Sequence, residues 1–74
     1  MAVRLLFVSG GDRVVDQADE ARLEGAFFVV TRRHSGTGKS ETVLTLPARD
    51  VVGAEIVIDG TVTNYVSGVG KRPT

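Results

Sequence analysis

Apolar residues along the chain come in short runs separated by turn-forming clusters, and that spacing predicts strands. Val3 to Val8 is apolar and β-prone and stops at Ser9-Gly10-Gly11-Asp12, which reads as a strand and a turn. Arg13-Val14-Val15 begins a returning strand. Asp16 is placed as a helix N-cap, since its carboxylate can accept from free amides of the next turn. Gln17 to Glu24 holds good helix formers, with acids in the first turn and Gly25 after the last, so a short helix is expected there. Ala26 to Arg33 is the strongest strand; Phe27, Phe28, Val29 and Val30 are consecutive, which predicts that both of its faces are covered.

The polar loop His34 to Ser40 and the alternating segment Glu41 to Leu46 complete a β-hairpin with that strand. Pro47 has no amide for a ladder and ends the second strand. Ala54 to Ile58 and Thr61 to Val66 form a second hairpin around Asp59-Gly60, a type I′ turn signal. The expected fold is mainly β: a small antiparallel meander of five or six strands, rolled up or closed into a small barrel, with one short helix. Residues 1–66 make a single β-rich domain, and 67–74, with two glycines and a proline, a flexible C-terminal tail.

Size sharpens this picture. With 74 residues the chain is one domain. A fold this small buries only about 60% of the surface its unfolded chain exposes, so it commonly relies on a disulfide, a metal or a partner. There is no cysteine and His34 is the single histidine, which leaves a partner or a well-packed core. Nine basic residues balance nine acidic ones, which argues against a general binder of nucleic acid or anionic membranes. No apolar run reaches the roughly 18 residues of a membrane span, and no signal-peptide pattern opens the chain, so a cytoplasmic location is expected. Charge is uneven: acids dominate residues 12–24, whereas Arg32, Arg33 and Lys39 stand together without an acid.

Ser35-Gly36-Thr37-Gly38-Lys39-Ser40 matches the second half of the phosphate-binding motif Gly-x-x-x-x-Gly-Lys-Ser/Thr, and Ile56-Val57-Ile58-Asp59 imitates the strand and acid that accompany it. Three features oppose nucleotide binding. Arg33 occupies the place of the first glycine. The residues after Ser40 alternate as a strand does, where the motif needs a helix N-terminus. The chain is also too short for the parallel sheet that carries such loops. A hairpin tip is the better reading.

Arg32, Arg33, His34 and Lys39 gather at that tip and are candidate contacts for phosphates or a partner, as in β-ribbon readers of DNA. The patch has three formal charges and no aromatic residue for base stacking, so nucleic-acid binding there is expected to be weak. His34 lacks a cysteine partner, and no catalytic set is visible. Asp16, Asp19, Glu20 and Glu24 lack the glycine and terminal glutamate of a calcium loop and serve solubility. No cofactor and no metal are expected. Phe27, Phe28 and Tyr65 are candidate interface residues.

Phe7-x-x-Gly10, Val14-Val15, Ala18-x-x-Ala21, Gly25-x-Phe27-Phe28-Val29-Val30 and Leu46-Pro47-Ala48-x-x-Val51-Val52-x-x-Glu55 together resemble a pattern of small β-meander proteins of actinobacteria and their phages. The resemblance spans about residues 7 to 55 and rests on generic motifs. It implies a small β fold and a phage origin, and it brings no active site. The functional expectation is a non-enzymatic interaction or structural protein, such as a phage accessory or virion component. It is expected to self-associate, as a dimer, or to dock in a larger assembly. A nucleic-acid-binding β module using residues 32–40 is the alternative.

Overall fold

The computed structural model describes residues 1–72. Its seven strands are β1 (Ala2–Phe7), β2 (Asp12–Asp16), β3 (Glu20–Glu24), β4 (Phe27–Arg33), β5 (Ser40–Pro47), β6 (Val51–Ile58) and β7 (Thr61–Ser67). They form two antiparallel sheets, one of order β2-β1-β6-β7 and one of order β3-β4-β5. The mainly β, antiparallel character expected from the sequence holds. The strands are split between two open sheets, and no barrel closes among the described residues.

Alternation builds the core between the sheets. Val3 and Leu5 point inward from β1, opposite Ile56 and Ala54 of β6, and all four are buried. The facing sheet contributes Ala21, Val30 and Phe28, with Leu44 and Leu46 packed at the margin. Side chains of one strand face share one side because successive residues of a strand point to opposite faces. Arg4, on the opposite face of β1, meets solvent and is bound by Asp12 at 2.6 Å and Glu55 at 3.5 Å.

The helix expected over Gln17–Glu24 does not form. Gln17 turns the chain with a positive φ of 58°, and residues 20–24 are strand β3. The cause is tertiary. β4 has an open edge, and Glu20 to Glu24 fills it, pairing Ala21 with Val30 and Leu23 with Phe28. Helix propensity differences of a few tenths of a kcal/mol per residue are easily outweighed by such pairing. The link 17–19 carries the chain from one sheet to the other: Gln17 donates to the Met1 carbonyl at 2.9 Å, Asp19 to that of Thr31 at 2.9 Å, and Ala18 is buried between them. Among the described residues the one helical element is a single 3-10 turn, Ala48–Asp50, which carries the chain back.

Local turn chemistry is as expected. Asp59 and Gly60 both take positive φ, 51° and 77°, between β6 and β7. Pro47 is the last residue of β5. The tail expected over 67–74 is tethered at its start: Ser67 ends β7, and Gly68 and Gly70 donate to the carbonyls of Val52 and Val51 at 2.8 and 2.9 Å. A Cβ at Gly68 would collide with the Val51 carbonyl, and one at Gly70 would lie 2.7 Å from the Arg49 oxygen, so only glycine permits this approach. Pro73 and Thr74, the end of that tail, lie outside the described residues. No helix among the described residues is long and apolar enough to cross a membrane.

Candidate interaction surfaces

The basic tip and the Phe27–Phe28 pair lie at opposite ends of β4, and Tyr65 lies apart from both on β7. At its C-terminal end the β4–β5 hairpin closes through His34 N–H to the Lys39 carbonyl and Gly38 N–H to the His34 carbonyl, both 2.8 Å. Ser40 starts β5, so a strand stands where a phosphate-binding loop needs a helix. Asp59, the imitation of the second nucleotide motif, is a turn residue.

The tip brings Arg32, Arg33, His34 and Lys39 together, as expected, but adds acids to them. Arg32 and Glu41 are directly opposed in the hairpin register, and their side chains pair at 3.0 Å. Glu41 also lies 2.6 Å from His34 Nε2. The hydrogen bond from Arg32 and then that from His34 hold the Glu41 carboxyl below its ordinary value. Arg33 donates its backbone N–H to Asp19 at 2.6 Å, and its guanidinium lies 3.5 Å from Glu20. Of the four nominated residues, Lys39 has no acidic side-chain partner among the described residues. The acidic early segment and the basic middle segment, separate in sequence, are folded onto each other. Glu41 was legible from the hairpin register; Asp19 and Glu20 gave no local signal, because they arrive from the sheet-to-sheet link and β3.

The other end of β4 is apolar. Phe27 is 52% exposed whereas its neighbour Phe28 is completely buried. Phe28 is therefore a core residue, which corrects its place among the interface candidates: its side of β4 faces the other sheet. Phe27 borders a shallow cleft of about 440 Å³ with Gly25, Ala26, Pro47, Ala48, Arg49 and Val69. Val69, which the sequence did not single out, is 57% exposed there. Tyr65 lies across the molecule on β7, opposite Glu55, and is 47% exposed. Its ring folds back over Gly53, where a Cβ would strike the phenol.

No family model, curated protein or solved structure matches this chain.

Proposed function

We propose that the chain is a small non-enzymatic interaction or structural protein that docks a protein partner on the apolar end around Phe27. The observation that carries this is the contrast between two adjacent aromatics. Phe28 is spent on the core, while Phe27 stands half-exposed at the mouth of a cleft whose one charged lining residue is Arg49. Aromatic anchors with a nearby arginine are the composition of interface centres. The resemblance to small phage and actinobacterial β proteins agrees with a role as a phage accessory or virion component. Nucleic-acid binding by residues 32–40 draws less support, because Glu41, Asp19 and Glu20 offset the arginines that would meet phosphates.

The test is a photocrosslinking residue at position 27, compared with one at position 39, in cells that produce the protein. Adducts to a discrete protein from position 27 and none from position 39 are expected. Adducts from position 39 alone would overturn the assignment.

A further inference from the structure

The two sheets present four edge strands: β2, β3, β5 and β7. An edge exposes unpaired amides and carbonyls, and proteins guard such edges with charges or proline. Three of the four are guarded. β2 carries Asp12, Arg13 and Asp16; β3 carries Glu20, Arg22 and Glu24; β5 carries Glu41 and ends on Pro47. β7, Thr-Val-Thr-Asn-Tyr-Val-Ser, has neither a charge nor a proline over its whole length.

We propose that β7 pairs antiparallel with β7 of a second copy, about a two-fold axis at Tyr65. The proposal rests on the reading of the chain as an interaction protein and names one of its partners. Backbone direction fixes the centre. In an antiparallel ladder, alternate residues turn their N–H and C=O toward one neighbour and then the other. The Tyr65 N–H does not reach β6; it is taken by the Asn64 side-chain oxygen at 2.9 Å. Gly68, beyond the strand, donates to Val52 of β6, which fixes Asn64, Val66 and Gly68 as the inward positions on this side of the bulge beside Ile56. Tyr65 therefore faces the free edge, and Asn64 holds the place of an incoming carbonyl. A two-fold there lets each Tyr65 N–H meet the partner's Tyr65 C=O, with Thr63 opposite Ser67.

Two further features favour a second copy. The Tyr65 ring lies over Gly53, away from the edge, so the backbone is open to a neighbour. Beyond the two ends of β7, Asp59 and Lys71 are in no ion pair among the described residues, so opposite charges are available near either end of the joint. Pairing joins two four-stranded sheets into one of eight strands. So short an edge is at the small end of specific interfaces, which places association on the order of micromolar.

Light scattering over a concentration series, with amide exchange measured on the same samples, tests this. The full chain should move from one to two copies, and the Tyr65 amide should become more protected as it does so. Tyr65→Lys, which sets like charges directly opposite, should weaken association at least tenfold. Since the chain has no cysteine, Tyr65→Cys should form a disulfide-linked dimer on mild oxidation, and Arg13→Cys on the β2 edge should not. A chain that stays monomeric to millimolar concentration overturns the proposal, as does a dimer whose Tyr65 amide stays unprotected, or equal crosslinking at position 13. Recovery of a different protein crosslinked at position 65 in place of a second copy also overturns it. Each of these outcomes leaves the Phe27 assignment, which has its own crosslinking test, untouched.

Discussion

The two ends of β4 are held by different physics. At the Arg33 end, solvated side chains meet: Arg32 with Glu41, Arg33 with Asp19 and Glu20. At the Phe27 end, backbones meet: Ala48 donates to the Ala26 carbonyl at 2.9 Å, Val8 to that of Asp50 at 3.0 Å, and Gly68 and Gly70 run close against β6. Exposed ion pairs contribute about 0–1 kcal/mol each, because water and salt compete for both partners. A backbone approach with no room for a methyl group has no such substitute. The charged end is therefore the tolerant one and the apolar end the demanding one.

The sharpest probe of that difference is the pair of adjacent phenylalanines. Phe28→Ala removes the largest fully buried side chain and should cost about 3–5 kcal/mol in urea unfolding, enough to threaten a domain of this size. Phe27→Ala, one residue away, should cost under about 1 kcal/mol. Equal losses would mean that Phe27 is structural and would break the comparison. Next comes Gly68→Ala, which forces a methyl group against the Val51 carbonyl; the same unfolding measurement should register about 1–3 kcal/mol. At the charged end Lys39→Ala should change stability by no more than about 0.5 kcal/mol.

The smallest effect concerns Glu41. Its carboxyl is held below the ordinary value by Arg32 and then His34, so its ionised form is favoured in the folded chain. The resulting stabilisation is present above the unfolded value and is lost as the pH falls through the folded one. Carbon-13 titration should therefore place Glu41 below the ordinary 4.5, and Arg32→Met should move it upward. A Glu41 titration that ignores Arg32 would show that the tip pairing is absent in solution.

What was legible in the sequence was what is local. Asp59-Gly60, Ser9-Gly10-Gly11 and the β4–β5 hairpin are close-range features whose turn residues dictate them, and all three form. Glu20-Ala21-Arg22-Leu23-Glu24 was misread as helix because each of its residues favours one in isolation. Its pairing with β4 is decided by the neighbour, which a short window does not contain. Phe27 and Phe28 could not be told apart, since four consecutive apolar residues hide which face is covered until the opposite sheet is placed. The acids at the tip were hidden for the same reason: Asp19 and Glu20 reach Arg33 from across the fold.

The pairing of β1 with β6 sets a timetable for the newborn chain. Val3 finds Ile56 and Leu5 finds Ala54, so β1 waits for a strand made much later in the chain. The β3–β4–β5 sheet joins neighbours in sequence and is free to assemble earlier, while the β1 edge that β6 will fill stays unpaired. Closing so long a loop carries its entropic cost before the contacts that reward it exist, as in other folds dominated by distant strand pairing, which fold in milliseconds to seconds. During that interval the unpaired backbone edge of β1 is open to wrong partner strands, as unpaired edges are in other slowly pairing folds.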